Sequence, residues 1–291
     1  MTRTFLYSAL LAIILAMTGA RAEDNTLERG RYLVTTLGAC GTCHTTRDAS
    51  FKPIPDMELA GGRVIDAVDI AGDPVGIHAI VPNITPDKQT GIGNWTDAQI
   101  IDAIRNGRRP DGTLIGPPMP VALYRSISDS DVRAIVAYLR QLKPVEHKVE
   151  KSTYSIPLPQ NYGPVVTHVP DVPRSDKVAY GKYVAEVAHC WECHTPLLDG
   201  RADLGKPGAG GRRFNVSSGA VLSANLTPAD PDGIAKWTDE QIKKAITQGV
   251  RPDGRALVPV MGFAWYKNIS AEDLDALIAY LRSLKPAEPN E

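Results

Sequence analysis

Two short stretches combine thiols and an imidazole at a fixed spacing: Cys40-Gly41-Thr42-Cys43-His44 and Cys190-Trp191-Glu192-Cys193-His194. Two thiols three positions apart can add to the two vinyl groups on one porphyrin edge, while the adjacent imidazole turns onto the iron. Cys-x-x-Cys-His is accordingly the attachment signature for c-type haem. Two other chemistries use paired cysteines. A zinc site would need further ligands at finger-like spacing, and clusters 150 positions apart offer none. A thioredoxin-like dithiol does not explain why both motifs end in histidine. The expected cofactor is therefore two covalently bound haem c groups, on Cys40, Cys43 and His44 and on Cys190, Cys193 and His194.

A haem held by histidine needs a sixth ligand or an open position. Beyond the leader described below the methionines are Met57, Met119 and Met261. Met119 and Met261 lie 142 positions apart, each follows Pro-Asp-Gly by the same interval, and prolines stand close by (Pro117 and Pro118; Pro259). A soft thioether on the iron suits a low-spin haem that shuttles electrons. The competing role is that of a pliable core filler. Recurrence in register favours ligation at both positions, and Met57, without a counterpart, reads as packing or surface. His78, His147, His168 and His189 read as surface or loop residues, with His78 kept as an alternative ligand in the first half. Trp95 and Trp237 either meet a haem or anchor a helix start. Asn83 and Asn225 read as satisfying a loop or a propionate.

These residues belong to an internal repeat. Asn83-Ile84-Thr85-Pro86 matches Asn225-Leu226-Thr227-Pro228, Trp95 to Ile100 matches Trp237 to Ile242, and Arg109-Pro110-Asp111-Gly112 matches Arg251-Pro252-Asp253-Gly254. Tyr124 likewise matches Tyr266, all at an offset of 142. The offset is 150 at the cysteines, so the first half carries eight extra residues, expected within a loop around Asp56 to Ile80.

The elements that must position the sites read as helices. A helix from Leu27 to Leu37 runs into the first motif. Thr96 to Gln99 and Thr238 to Gln241 spell capping boxes ahead of apolar residues at helical spacing, and Gly107 and Gly249 stop those helices. The last helix of each copy begins after Ser128 or Ser270 and ends before Pro144 or Pro286. No convincing alternating run appears, so the expected fold is all-α. Six prolines between Pro144 and Pro173 make that stretch an extended connector, and its interspersed tyrosines and aliphatics make it a packed strap rather than a free tether. The expected organisation is a leader at 1–22, domains at 23–144 and 175–291, and a connector at 145–174.

The leader has Arg3, an apolar run from Phe5 to Met17 and the cleavage site Ala20-Arg21-Ala22. Its removal leaves 269 of 291 residues and, with Arg3 and Arg21 gone, shifts the formal charge from −1 to −3. The product is expected to be soluble and periplasmic, without an integral membrane anchor. All four cysteines lie in the two motifs, so no disulfide framework is expected. Nothing provides the basic patch that nucleic acid needs.

Both halves resemble the class I cytochrome c domain: an N-terminal helix with Gly and Tyr, Cys-x-x-Cys-His, a Pro-rich loop with Met, and a C-terminal Tyr-Leu-Arg helix (Tyr138-Leu139-Arg140 and Tyr280-Leu281-Arg282). More narrowly, the Asn-Ile/Leu-Thr-Pro, Trp-Thr-x-x-Gln-Ile and Arg-Pro-Asp-Gly segments are similar to those of the cytochrome c subunits of periplasm-facing alcohol, gluconate and related dehydrogenases. Such subunits commonly carry three haem domains, and this chain shows two. The resemblance implies His44 and His194 as proximal ligands and Met119 and Met261 as distal ones. It also implies electron transfer rather than catalysis, from a periplasmic dehydrogenase as donor to a cytochrome or terminal oxidase as acceptor. The alternative is a dihaem cytochrome c peroxidase, which needs one open distal site; the matched methionines argue against that asymmetry.

Overall fold

The computed structural model describes residues 24–48, 52–66, 76–198, 201–216 and 219–289. The leader at 1–22 lies outside them. Residues 24–32 are α-helical and pass without a break into a π-helical turn, Leu33–Leu37; together they form α1. The first half continues through α2 (Gly41–His44), β1 (Val64–Asp66), β2 (Ile77–Ile80), α3 (Asp97–Asn106), α4 (Val121–Tyr124) and α5 (Asp129–Gln141). A short strand, β3 (Thr153–Tyr154), lies in the connector. The second half opens with α6 (Lys177–Val187), α7 (Cys190–His194), β4 (Leu197–Leu198) and β5 (Arg201–Ala202). It closes with β6 (Arg213–Val216), β7 (Gly219–Leu222), α8 (Asp239–Gln248), α9 (Phe263–Tyr266) and α10 (Ala271–Ser283).

The helix boundaries follow from local chemistry. In α3 the Thr96 hydroxyl accepts from the Gln99 amide while Gln99 Oε1 accepts from the Thr96 amide, and Thr238 and Gln241 repeat this in α8. These bonds satisfy amides that a helix start leaves unpaired. Gly107 and Gly249 end the two helices in the left-handed region, at φ 65° and 66°. Ser128 and Ser270 cap α5 and α10 by accepting from the amides of Asp131 and Asp273.

Within each half the first helix crosses the last at a glycine. A Cβ on Gly30 would lie 2.0 Å from the Ala134 carbonyl oxygen, and one on Gly181 1.9 Å from that of Ala276. Only a residue without a side chain permits that approach. The halves also interlock, since α4 packs on α6 and α9 on α1. One apolar core containing Leu33, Val136, Val184 and Leu281 runs through both.

The all-α expectation is overturned. Seven short strands form a three-stranded sheet, β1-β2-β3, and two hairpins, β4-β5 and β6-β7, among the described residues. Each strand has two to four residues, too few for alternation to register as a pattern. The hairpins also locate the extra residues of the first half. Val64 pairs with Ile80 across 16 positions and Arg213 with Leu222 across 9, which puts seven of the eight inside the first hairpin. Much of that insertion, 67–75, lies outside the described residues. The connector packs as a strap: β3 pairs with β2, and the Tyr162 hydroxyl donates to the Ile115 carbonyl at 2.7 Å.

Candidate haem-attachment sites

Each Cys-x-x-Cys-His stretch forms a short helical turn, α2 or α7, entered through a non-glycine residue in the left-handed region. These entry residues are Ala39 (φ 43°) and His189 (φ 44°). A conformation that disfavours side chains, held at the same place twice, indicates that the surroundings impose the turn. The four cysteines are half-buried and unbridged. Burial pushes the Cys40 and Cys190 thiols up to about 12, with Cys43 and Cys193 adding to the rise. A dithiol redox pair needs the opposite, a thiolate favoured near neutrality. Nor do three His, Cys, Asp or Glu side chains converge as metal donors among the described residues.

The two imidazoles are buried and identically held. His44 Nδ1 bonds the Pro82 carbonyl at 2.9 Å, and His194 Nδ1 bonds the Ala224 carbonyl at 2.8 Å. A carbonyl can only accept, so Nδ1 carries the proton and Nε2 keeps its lone pair for an iron. Burial lowers the pKa of both rings, which favours the neutral ligand form. The chain folds back over each histidine through Gly61 and Gly210, whose amides donate to the His44 and His194 carbonyls. Both glycines have positive φ, and a Cβ on either would meet backbone at 2.5–2.6 Å.

The methionine loops come to the same places. Met119 and Met261 are half-buried against the core and lie just ahead of α4 and α9. From α4 the Tyr124 hydroxyl reaches the Gly38 carbonyl at 3.5 Å, two residues before Cys40. From α9 the Tyr266 hydroxyl donates to the Ala188 carbonyl at 2.9 Å, two residues before Cys190. A buried tyrosine thus ties each methionine loop to the attachment turn of its own half. The turns also face the other half. The Tyr124 ring meets His189 edge-on at 6.4 Å, and the Trp265 indole nitrogen would lie 3.6 Å from a Cβ on Gly41, with Arg47 over its ring.

Of the remaining histidines, His78 on β2 is half exposed and bonds Asp66. His168 is exposed beside Asp129, and His147 bonds the Ala60 carbonyl. His189 lies in the turn before α7, half-buried, with its ring edge-on to Tyr124 of the other half. Asn83 and Asn225 satisfy their loops, each accepting from the threonine two residues on and donating to Val145 or Ala287. Trp95 and Trp237 pack against the core at the starts of α3 and α8, and their carbonyls accept from Arg140 and Arg282.

Sequence reasoning missed one pair. Arg63 donates to the Thr42 carbonyl at 2.6 Å and Arg212 to that of Glu192, bracing the two attachment turns from outside. Both follow Gly-Gly (Gly61-Gly62 and Gly210-Gly211), a repeat visible at an offset of 149. Arg63 Nε is buried without a hydrogen-bond partner. An acid-bearing group seated against this turn, such as a haem propionate, would satisfy it. With two thiols, a neutral imidazole and a thioether loop in each half, the residues fit haem c.

The family described as Cytochrome c matches residues 27–143 and 178–285. The fructose dehydrogenase cytochrome subunit of Gluconobacter japonicus is 31% identical over 282 residues, 92% of this chain and 54% of that protein. The cytochrome c subunit of the quinone alcohol dehydrogenase of Gluconacetobacter polyoxogenes is 30% identical over 310 residues, 98% of this chain and 61% of its own length. A diheme cytochrome c-type protein of Cereibacter sphaeroides is 29% identical over 268 residues, 86% and 83% of the two chains. The chain thus spans little more than half the length of these fructose and alcohol dehydrogenase subunits. No helix among the described residues is long and apolar enough to cross a membrane.

Proposed function

We infer that this chain, which belongs to the cytochrome c family, is a periplasmic dihaem electron carrier serving a dehydrogenase. Residues 1–22 act as its export leader, 23–144 and 175–291 are its two haem domains, and 145–174 is the connector. Each domain holds one haem c: Cys40 and Cys43 with His44 and Met119, and Cys190 and Cys193 with His194 and Met261. The donor is a dehydrogenase, as the similarity to fructose and alcohol dehydrogenase subunits supports, and the acceptor is a downstream cytochrome or terminal oxidase.

The observation that carries this reading is the twofold recurrence of one constellation. In each half an attachment turn and a methionine loop are tied by a tyrosine hydroxyl, and the histidine is fixed as its Nδ1–H tautomer. When bound, the haem supplies an iron that cycles between ferric and ferrous forms. The chain's part is to keep that change from needing rearrangement. The Pro82 and Ala224 carbonyls fix the imidazole planes, Tyr124 and Tyr266 hold the methionine loops, and burial of both histidines limits access of water.

Spectroscopy tests the reading. The exported protein should contain two haem c per chain, low-spin in both oxidation states. In the ferric form both should show the near-infrared methionine–iron band. A single haem per chain would refute the two-haem assignment, and a high-spin haem that reacts rapidly with peroxide would replace electron transfer by another function.

A further inference from the structure

The two methionine loops start alike. The Ile115 amide donates to the Gly107 carbonyl at 2.7 Å, and the Leu257 amide to the Gly249 carbonyl at 2.6 Å. Past that point the first-half loop is bonded from the connector. The Tyr162 hydroxyl donates to the Ile115 carbonyl at 2.7 Å and the Tyr154 hydroxyl to the Pro117 carbonyl at 3.0 Å, four and two residues before Met119. Both rings seat on glycines: a Cβ on Gly107 would lie 2.7 Å from the Tyr162 ring, and one on Gly116 2.6 Å from that of Tyr154. The connector is itself anchored on either side of these tyrosines. The Ser152 hydroxyl accepts from the Ile80 amide, Arg125 donates to the Pro164 carbonyl, and the Asn106 side chain accepts from the Val166 amide.

The second half replaces each of these contacts. Phe263, at the repeat position of Val121, lies 2.9 Å from a Cβ on Gly249, so a ring without a hydroxyl takes the place that Tyr162 has over Gly107. Val258 stands at the position of Gly116 and fills the space the Tyr154 ring would need. Among the described residues no side chain donates to the carbonyls of Leu257 or Pro259. Gly116 is buried and Pro117 and Pro118 are half-buried, whereas Val258, Pro259 and Val260 are all exposed. Beyond the methionines Tyr124 and Tyr266 tie both loops, at 3.5 and 2.9 Å. The contrast therefore lies in the arm that leads into each methionine.

We propose that Tyr154 and Tyr162 are positioning residues for Met119, fastening its loop through the connector, and that the second haem, whose Met261 loop lacks these bonds, is the one that exchanges its distal ligand. The proposal rests on methionine ligation in the electron-transfer reading and adds which haem opens, and what keeps the other shut. Methionine leaves an iron only if its loop moves. Segments with few buried contacts and exposed backbone open locally at the lowest cost. Each hydrogen bond that must break first slows opening by about two- to tenfold.

The experiment mixes the ferric holoprotein with saturating imidazole and follows loss of the near-infrared methionine band. The thioether sulfur leaves the iron, an imidazole nitrogen lone pair takes its place, and no electron moves. At saturation the rate is that of loop opening. The wild type should show two phases of equal amplitude, separated about tenfold or more. Met261→Ala should remove the fast phase and Met119→Ala the slow one. Tyr154→Phe and Tyr162→Phe should each speed the slow phase about threefold, and the double variant about tenfold, with the fast phase unchanged. Hydrogen exchange reads the loops apart from the iron: amides in 113–121 should exchange more slowly than those in 255–263, and the tyrosine variants should speed only the former. Phases of equal rate in the wild type, a slow phase that neither tyrosine variant moves, or a slow phase lost with Met261 would overturn the proposal. So would acceleration of both phases together, which marks a general loosening of the fold. A ferric wild type without the methionine band would overturn the ligand assignment itself; with the band present, every other outcome bears on the proposal alone.

Discussion

His44 and His194 are set by one hydrogen bond each, from Nδ1 to a carbonyl 38 or 30 residues downstream, and the proposed distal methionines stand in register on loops tied back by Tyr124 and Tyr266. If Met119 and Met261 each ligate one iron, Met119→Ala and Met261→Ala should each abolish half of the near-infrared methionine band. Each should also let the reduced protein bind one carbon monoxide per chain, the double variant two. A single variant that keeps the full band refutes the assignment for that residue. The candidate groups were legible in the sequence because thiol, imidazole and thioether chemistry admits few substitutes and the repeat shows each group twice. Arg63, Arg212 and the carbonyls of Pro82 and Ala224 were not, because a backbone acceptor has no residue identity and an arginine has many surface uses. Only the fold brings Arg63 to the Thr42 carbonyl.

At the scale of elements, the helices could be read because their signals are local. Thr96 with Gln99 and Gly107 end α3 by bonds within a few residues, and Ser128 and Ser270 do the same for the starts of α5 and α10. The strands could not, because β1 and β2 are held by pairing across an insertion and β3 arrives from the connector. The helix crossings give a sharp test. Gly181→Ala would ordinarily favour a helix by about 1 kcal/mol, but its Cβ would sit 1.9 Å from the Ala276 carbonyl oxygen. Backbone must shift, so overpacking should win, with a net loss of about 1–3 kcal/mol in denaturant unfolding; a neutral or stabilised variant would show that α6 and α10 do not cross there. The strap carries its own pH dependence. Asp129 bonds Arg105 at 2.7 Å and, in the connector, His168 at 2.6 Å. Arg105 first, then His168, hold its carboxyl well below the usual range. A depressed folded pKa contributes stability that is complete above the unfolded value of about 4 and is lost as pH falls towards the folded one. Stability plotted against pH should therefore drop more steeply below pH ~4 in the wild type than in Asp129→Asn; superimposable acid limbs would exclude this contribution.

For the whole molecule, the notable feature is that the repeat is closed on itself by equivalent residues. The Tyr32 hydroxyl donates to Asp273 at 2.7 Å, and that of Tyr183 donates to Asp131 at 2.5 Å, so each half's first helix caps the other half's last. Nothing in the sequence announced this, since a Tyr–Asp pair 241 residues apart has no local signature. The two contacts are bridged: Arg29 forms a bidentate pair with Asp131 and lies 5.6 Å from the Tyr32 ring, while Arg174 bonds Asp273 and stacks on Tyr180 beside Tyr183. Tyr32→Phe and Tyr183→Phe should each destabilise by about 1–2 kcal/mol. That is at the lower end for a bond to a charged group, because each aspartate keeps an arginine partner. Groups joined through shared partners are not independent, so the double variant should depart from the sum by about 0.5 kcal/mol or more. Equilibrium unfolding of the wild type, both single variants and the double variant completes the cycle. Strict additivity would mean that the halves are fastened at two separate points. A measurable coupling would mean that one charged network fastens the two halves into a single unit.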